Sequence, residues 1–373
     1  MTSSIEYMQH AIRLAKKGLY TTDPNPAVGC VVVKHNEIVG EGWHQVAGQA
    51  HAEVLALKQA GLAAQGAIVF VTLEPCCHTG KTPPCADALI NAGVKKVVIA
   101  MKDPNPLVAG KGLKKLQDAG IVVETGLLET QARALNPGFI KRMEQGRPYV
   151  RIKLAMSLDG RTAMASGESK WISSEASRFD VQRLRAASSA ILTGIETVLT
   201  DDPSMNVRIS ADELSLDVCD GPLRQPKRIV LDSKFRIPKA VKISSLDGEC
   251  IVYTTMHVDN KDDYPFIIED GCTQGSGQDA RIDLSLLMQN LAEKEINLLH
   301  VEAGSVLCGA LLKNGLVDEI IIYMAPHVMG DKAKGLFHLP ELEMMKDRIS
   351  LTINDVRMIG NDIRISAKPV HIN

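Results

Sequence analysis

Short apolar runs alternate with segments of helical periodicity along nearly the whole chain, and this alternation restricts the folds open to it. Strands separated by single helices favour a mostly parallel sheet that is covered by helices. The first two apolar runs, residues 28–33 and 38–42, flank a polar turn and predict a hairpin. The other predicted elements of the first half are helices at 5–15, 51–60, 86–92 and 112–119 and strands at 67–73, 96–101 and 121–124.

The alternation is interrupted at residues 144–148, where Gly146 and Pro148 end a helical run that begins at Thr130. Because 373 residues exceed what one hydrophobic core usually serves, we expect two domains, residues 1–145 and 146–373. Beyond the break we predict strands at 149–155, 190–193, 228–232, 250–254, 297–302 and 319–325, helices at 178–187, 284–294 and 306–312, and a closing hairpin of 349–358 with 362–367. Segments 212–226 and 257–278 are polar and are predicted to be surface loops.

Composition excludes several classes of protein. Apolar residues make up 45% and charged residues 23%, which excludes disorder, collagen and coiled coil. No apolar run approaches the roughly 18 residues of a membrane helix, and the chain starts with an amphipathic helix, so we expect a cytoplasmic protein without a membrane partner. The residues before Arg147 hold 15 basic and 12 acidic side chains and the rest hold 27 and 32, so the halves carry +3 and −5. This balance argues against a nucleic-acid partner. The eight cysteines are expected to be free thiols or metal ligands.

The strongest chemical signal is His51 with Glu53 two residues later, followed by Cys76 and Cys85. One imidazole and two thiolates are the ligands of a catalytic zinc site that leaves its fourth position to water. His51 and Cys85 stand where predicted helices begin, and a helix N-terminus favours the thiolate of Cys85. Glu53 suits a proton shuttle that takes a proton from the attacking water and delivers it to a departing amine. An H-x-E segment paired with a P-C segment is the signature of zinc deaminases.

The same ligand types also suit a closed structural zinc site with Cys77 or His78 as the fourth ligand. The general deaminase signature has two residues between its cysteines, whereas here eight separate them. This insertion includes Lys81 and Thr82, which belong either to a solvated loop or to a phosphate or ribose contact.

Two residues ahead of the zinc motif are candidates for substrate contact. Asn25 lies between two prolines, which make a rigid loop that can present its amide to the edge of a heterocycle. His44 follows a tryptophan, a position where a histidine is more often packed at the surface. Their place before the zinc motif is what favours the functional interpretation.

Taken together, these motifs resemble a known family, the bacterial bifunctional riboflavin-biosynthesis deaminase/reductases. The resemblance rests on His44 and on HAE at 51–53, TLEPC at 72–76, DPNP at 103–106, RIKLAMSLDG at 151–160, SGESKW at 166–171, TDDP at 200–203 and VEAG at 301–304. It covers essentially the whole chain, with the motifs of both domains in the expected order.

The resemblance implies an α/β protein with two domains and two successive reactions. An N-terminal cytidine-deaminase-like α/β/α domain would bind one zinc ion through His51, Cys76 and Cys85 and use Glu53 as its catalytic residue. It would remove the ring 2-amino group of 2,5-diamino-6-ribosylamino-4(3H)-pyrimidinone 5′-phosphate, which would be bound by Asn25, His44, Lys81 and Thr82. A C-terminal dihydrofolate-reductase-like α/β domain would then reduce the ribosyl group to ribityl with NADPH.

The second half alone indicates only a nucleotide site. A strand at 297–301 leads through Glu302 and Gly304 into a helix, and such a turn can cradle a pyrophosphate, although no G-x-G-x-x-G is present. The resemblance places NADPH against Ala155, Trp171, Thr197, Asp201, Ser233, Gly304, Ser305, Val306, Leu307, Cys308, Gly309 and Ala310. It places the substrate against Ser169, Arg185, Met205, Arg208 and Glu302, and the two arginines suit a phosphate. Ser233, Lys234 and Arg236 could meet the 2′-phosphate of NADPH, whereas Lys153 has no assigned role.

We therefore expect small phosphorylated pyrimidines as partners, no nucleic acid, and a homo-oligomer. An RNA-editing zinc deaminase with an accessory domain would share the zinc motif but should show basic clusters or stacking aromatics in its second half. A non-catalytic, zinc-stabilised binding module would leave Glu53 unexplained.

Overall fold

The computed structural model describes residues 3–77, 84–106, 108–216 and 223–370. The chain divides into two compact units that meet in the sequence at Arg147 and Pro148. Among the residues that the structure describes, no helix is both long and apolar enough to span a bilayer.

The first unit is a five-stranded sheet between two layers of helices. Its strands are β1 (Gly29–Lys34), β2 (Glu37–Trp43), β3 (Ile68–Val71), β4 (Lys96–Ile99) and β5 (Val122–Thr125), and its helices are α1 (Ser4–Lys16), α2 (Ala52–Ala60), α3 (Cys85–Asn91), α4 (Lys111–Asp118), α5 (Glu129–Arg133) and α6 (Pro137–Gln145). One core joins α1, α5 and α6 to one face of the sheet, and a second joins α2, α3 and α4 to the other. Both faces are therefore covered, as an α/β/α sandwich requires.

The order of the sheet is β2-β1-β3-β4-β5, and the predicted hairpin of β1 and β2 is confirmed. The expectation of a mostly parallel sheet is wrong for β1, which is antiparallel to both of its neighbours. The connection through α2 makes β3 parallel to β2, but the two strands are not adjacent. β1 lies between them and is antiparallel to both. Within the described part of this sheet, the parallel pairs are β3 with β4 and β4 with β5.

The helical run predicted from Thr130 is two helices, α5 and α6, because Asn136 and Pro137 interrupt it. Proline has no N–H to donate and is accommodated in the first turn of a helix, so α6 starts there. The Asn136 side chain exchanges two hydrogen bonds with the backbone of Ala27, accepting at 2.7 Å and donating at 2.9 Å. The hydrogen bonds of Asn136 to Ala27 therefore fix the loop that contains Asn25.

The second unit is built on a nine-stranded sheet with the order β11-β10-β9-β8-β14-β6-β15-β18-β17. Its strands are β6 (Tyr149–Ser157), β7 (Arg161–Ala163), β8 (Ala190–Gly194), β9 (Lys227–Leu231), β10 (Cys250–Tyr253), β11 (Ile267–Glu269), β12 (Thr273–Gln274), β13 (Arg281–Ile282), β14 (Leu298–Val301), β15 (Glu319–Ala325), β16 (Lys334–Gly335), β17 (Leu351–Ile359) and β18 (Asp362–Pro369). Its helices are α7 (Glu175–Ala186), α8 (Ile195–Asp201), α9 (Leu284–Glu293) and α10 (Ser305–Lys313). The strands from β11 to β15 in this order are parallel, and the closing hairpin of β17 and β18 is antiparallel, as predicted.

The prediction of a surface loop at 257–278 is wrong in part. Ile267–Glu269 forms β11, which extends the sheet beside β10, and Phe266 and Ile268 are buried in a core with residues of α8. A three-residue strand among polar neighbours is too short for periodicity to reveal. The described part of 212–226 contains no helix or strand.

Candidate active sites

Three predicted zinc ligands lie together in the first unit. His51 immediately precedes α2, Cys85 begins α3, and Cys76 lies in the loop after β3. Their ligand atoms lie within 4.8 Å of one another; His51 Nδ1 is 3.1 Å from Cys85 Sγ and 3.7 Å from Cys76 Sγ. Usual zinc bond lengths in a tetrahedron place nitrogen and sulfur ligands about 3.6 Å apart. The donor set and its spacing therefore fit zinc.

A closed structural zinc site would need a fourth protein ligand, and Cys77 does not supply it, because Cys77 does not belong to this cluster of donors. His78 lies outside the described residues. The described cluster therefore has the three donors that a catalytic site uses.

The sequence predicts that the start of α3 favours the thiolate of Cys85. The structure shows that it favours the thiolate of Cys76 instead. The hydrogen bond from the Cys85 thiol lowers the pKa of the Cys76 thiol to about 4, and the Cys85 backbone N–H also donates to Cys76 Sγ at 3.3 Å. The same thiol–thiol contact and burial raise the pKa of Cys85. The hydrogen bond with Cys76 raises the pKa of His51. The lowered pKa of Cys76 favours its thiolate, the form of cysteine that binds a metal.

Glu53 lies in the first turn of α2, beside this cluster. Its side chain is 4% exposed and within hydrogen-bonding reach of the Cys85 thiol. Burial raises the pKa of Glu53 from its usual value, although His51 opposes the shift. A carboxyl group with a raised pKa can both accept and release a proton near neutral pH.

Asn25 and His44 are hydrogen-bonded to each other next to His51. The His44 ring meets the His51 ring edge to face at 5.3 Å, and its Nδ1 lies 3.1 Å from the carbonyl oxygen of Ala50. A carbonyl only accepts, so Nδ1 carries the proton and Nε2 accepts from the Asn25 amide at 3.2 Å. Burial lowers the pKa of His44, in agreement with a neutral ring. His44 therefore orients the Asn25 amide and leaves its oxygen available.

Lys81 and Thr82 lie outside the described residues.

The predicted cofactor residues of the second unit gather at one edge of its sheet. Ala155 lies on β6, Ser233 follows β9, Thr197 and Asp201 belong to α8 after β8, and Gly304 leads from β14 into α10. Carboxyl ends of parallel strands meet at the same edge, where open α/β sheets bind ligands. Both α8 and α10 begin at a glycine without a side-chain cap, so their first N–H groups are available to an anion. These residues fit a dinucleotide.

The predicted substrate residues lie around an ion pair at the same edge. Arg185 donates to both carboxylate oxygens of Glu302, at 2.6 and 2.9 Å, and to the carbonyl of Asn206 at 3.0 Å. Burial alone would raise the pKa of Glu302, but Arg185 holds it well below the usual value. Arg208 is exposed and donates to Ser204 at 2.8 Å and to the Asn206 side chain at 2.9 Å. Arg185 is thus already occupied by Glu302, while Arg208 faces solvent.

The segment 169–171 is joined to both neighbouring helices. The Lys170 ammonium lies 3.1 Å from Asp201 of α8, and the Arg178 guanidinium of α7 stacks 4.6 Å over the ring of Trp171, which is 72% exposed. An exposed aromatic ring held by a cation is a ready stacking surface. Ser169 is half-buried in the same segment.

Two residues near this edge, Asn206 and Lys153, were missed or left unassigned by sequence reasoning, whereas Met205 beside Asn206 was predicted to contact the substrate. Met205 is buried with a φ of 44°. Asn206 accepts hydrogen bonds from both Arg185 and Arg208. The only sign of Asn206 in the sequence is its position between the predicted residues Met205 and Arg208. Lys153 on β6 lies 5.9 Å from the Tyr323 ring. Burial lowers the pKa of Lys153, and Glu302 opposes that shift through space.

Two family models match the chain. The model described as "Cytidine and deoxycytidylate deaminase zinc-binding region" matches residues 1–101, and the "RibD C-terminal domain" model matches residues 148–365. The riboflavin biosynthesis protein RibD of Haemophilus influenzae is 51% identical over 365 residues, which are 97% of this chain and 96% of that protein. The chain belongs to the RibD family.

Solved structures agree with RibD membership. Acinetobacter baumannii RibD (form 1) is similar with a TM-score of 0.89 and 46% identity, covering 98% of this chain and 99% of that one. The Thermotoga maritima structure named as a diaminohydroxyphosphoribosylaminopyrimidine deaminase/5-amino-6-(5-phosphoribosylamino)uracil reductase has a TM-score of 0.85 and 32% identity, with 98% of each chain covered.

As a RibD, the chain is a bifunctional enzyme of riboflavin biosynthesis, a deaminase and a reductase that uses Zn²⁺ and NADPH. The expected fold, a cytidine-deaminase-like domain followed by a dihydrofolate-reductase-like domain, is confirmed. The alternative of an RNA-editing deaminase is excluded, and so is that of a non-catalytic binding module.

Proposed function

We propose that residues 1–145 deaminate 2,5-diamino-6-ribosylamino-4(3H)-pyrimidinone 5′-phosphate. Residues 146–373 then reduce the product to 5-amino-6-(5-phosphoribitylamino)uracil. The observation that carries the proposal is the convergence of three zinc donors beside buried Glu53. The two activities for which the Thermotoga relative is named support the choice of substrates. The cytoplasmic location and the homo-oligomer expected from the sequence stay predictions.

In the deaminase, His51, Cys76 and Cys85 would hold the zinc ion. When bound there, zinc supplies Lewis-acid activation of water. Glu53 accepts the proton of the attacking water at its carboxylate and delivers it to the nitrogen of the leaving amine, a transfer for which its raised pKa is suited. Asn25, held by neutral His44, presents its amide oxygen to the N–H donors of the pyrimidine edge. Contacts of Lys81 and Thr82 with the ribose phosphate stay predictions.

In the reductase, the carboxyl edge of the sheet would hold NADPH, which supplies the reducing equivalent when bound. The first N–H groups of α10, from Ser305 to Leu307, bind the pyrophosphate, and residues 308–310 continue the helix behind them. Ala155, Thr197, Asp201 and Trp171 would line the rest of the cofactor site, and Ser233 would meet the 2′-phosphate.

The substrate would lie against the ion pair of Arg185 and Glu302. Arg208, an exposed residue, would bind the phosphate of the substrate. Glu302 stays ionised because of Arg185 and accepts hydrogen bonds from ribose hydroxyls, while Ser169 and Met205 complete the pocket. Arg185 acts by fixing Glu302 and Asn206.

The test uses the purified, zinc-loaded chain with the pyrimidinone phosphate and with transfer RNA as separate substrates. Ammonia should be released from the pyrimidinone only, and NADPH should be oxidised only after ammonia release or when the deaminated product is supplied. NADPH oxidation on the undeaminated substrate at an equal rate would overturn the proposed order of reactions. Ammonia release from RNA would overturn the substrate.

A further inference from the structure

Glu74 is a buried carboxylate in the loop that carries Cys76. Its side chain is 3% exposed, and it accepts four backbone hydrogen bonds. Oε2 accepts from the N–H groups of Asp103 (3.2 Å) and Gly110 (3.0 Å), and Oε1 accepts from those of Gly112 (3.0 Å) and Leu113 (3.2 Å). One side chain therefore joins the end of β3 to the loop after β4 and to the start of α4.

The start of α4 also packs directly on the backbone of this loop. A Cβ atom on Gly112 would lie 2.1 Å from the carbonyl oxygen of Pro75, a distance that no side chain can occupy. The first N–H groups of a helix have no acceptor within the helix, and the N-terminus favours a negative charge. Glu74 supplies both an acceptor and a charge, and glycine at 112 permits the approach.

The opposite side of Cys76 is held by α3. The carbonyl oxygen of Cys76 accepts a hydrogen bond from the Ala86 N–H at 3.1 Å, and the sulfur of Cys76 accepts one from the Cys85 N–H at 3.3 Å. Pro75, with its restricted φ, is the only residue between Cys76 and Glu74. A displacement of Glu74 would therefore move Cys76 relative to His51, which precedes α2, and to Cys85 on α3.

We propose that Glu74 is a positioning residue of the zinc centre, which holds Cys76 Sγ at ligating distance from His51 and Cys85. The proposal rests on the ligand set proposed above. Metal–ligand distances are tolerated only within about 0.2 Å, and groups that orient a ligand typically change metal affinity or activity by about 10- to 100-fold. Glu74 touches no ligand atom itself; it acts through the backbone of the loop.

The variant Glu74→Gln tests this role with little change of volume. The amide NH₂ must face one of the two N–H pairs, so two hydrogen bonds are lost and the charge is removed. Glu124→Gln is the matched control, because Glu124 is an exposed residue of β5 that accepts from Lys96 at 2.7 Å. We expect the zinc Kd, measured by competition with a chromophoric chelator, to rise about 10- to 100-fold in Glu74→Gln and to be unchanged in Glu124→Gln. The ligand-field spectrum of the Co²⁺-loaded protein should change in Glu74→Gln only.

NADPH oxidation on the deaminated product serves as the internal control, and it should be equal in both variants. An unchanged zinc Kd and an unchanged Co²⁺ spectrum in Glu74→Gln would overturn the proposal, even if the protein were less stable. Cys76→Ser, measured in parallel, tests the ligand set separately: retention of wild-type zinc affinity there would overturn the ligands and not Glu74 alone.

A second measurement needs no variant and applies if Glu74→Gln does not fold. Binding coupling is reciprocal, so a group that favours zinc binding must itself be stabilised by zinc. Hydrogen exchange at the N–H groups of Gly110, Gly112 and Leu113 should be faster in the zinc-free wild-type protein than in the zinc-loaded one. Equal exchange rates in the two forms would overturn the proposal.

Discussion

The guanidinium of Arg185 on α7 and the carboxylate of Glu302 after β14 form a two-point ion pair, although 117 positions separate them in the sequence. Both side chains are largely withdrawn from solvent, with 10% and 13% of their surfaces exposed. The pair therefore joins a helix to the carboxyl edge of the central sheet, where the cofactor and substrate are proposed to bind.

Substitution of one member of this pair should lower the free energy of unfolding. Arg185→Met leaves Glu302 buried without its partner, and the free energy of unfolding in denaturant should fall by about 3 to 5 kcal/mol. The double variant Arg185→Met/Glu302→Leu should recover part of that loss, because neither charge of the pair is then left buried without the other. A stability of Arg185→Met within 1 kcal/mol of the wild type, on the order of a surface substitution, would contradict the prediction.

Arg208→Ala should weaken reduction and leave the fold intact. Arg208 is an exposed residue, and its side-chain hydrogen bonds go only to Ser204 and Asn206 nearby in the sequence, so the free energy of unfolding should change by less than about 1 kcal/mol. A hydrogen bond to a charged group contributes about 1.5 to 3 kcal/mol, so kcat/KM for the deaminated substrate should fall about 10- to 100-fold. Ammonia release provides the control, since an equal loss there would show that the change is not specific to the reductase.

Glu53→Gln should separate the two reactions. An amide cannot accept and return a proton, and general acid–base groups typically contribute about 10²- to 10⁴-fold, so ammonia release should fall by at least that range. Zinc content should stay unchanged, because no ligand is removed. NADPH oxidation on supplied deaminated substrate should persist; its loss would require a shared or interdependent site in place of two sites.

Zinc should be present at one equivalent per chain and should depend on Cys85. Elemental analysis of Cys85→Ala is expected to show loss of zinc, because two donors are too few for a stable site. Removal of zinc from the wild-type enzyme by a chelator should abolish ammonia release and spare NADPH oxidation. Full zinc occupancy in Cys85→Ala would show that another residue completes the ligand set.

NADPH should be preferred to NADH, and Lys234 should contribute to that preference. Arg236, the other cation of this turn, is in contact with Glu196 of α8, whereas Lys234 is exposed next to Ser233. Lys234→Ala should lower kcat/KM for NADPH about 10-fold or more and leave that for NADH unchanged. Lys261→Ala is the matched control, because Lys261 pairs with Asp270 elsewhere on the unit. Equal efficiency of the wild type with both cofactors would contradict the prediction.

Most helices and strands could be predicted, because periodicity is a local property of the sequence. β15 has the predicted bounds, and most other elements differ by a few residues at their ends. The larger differences include the seven-residue helix α8 and the three-residue strand β11, neither of which was predicted, and the run from Thr130, which Pro137 divides into two helices. Residues of the zinc site could also be predicted, since their types and spacing carry the chemistry and the resemblance to a family.

The family, most of the strands and helices, and the proposed set of zinc donors follow from the sequence alone, because each depends on residue identity over short distances. The groups that these residues contact depend on the tertiary structure. It placed β1 between β2 and β3, directed the start of α3 to Cys76, paired Arg185 with Glu302, and gave Glu74 the N–H groups of α4. These contacts join positions 9 to 117 residues apart, and their partners are selected by the packing of whole elements, which no local pattern encodes.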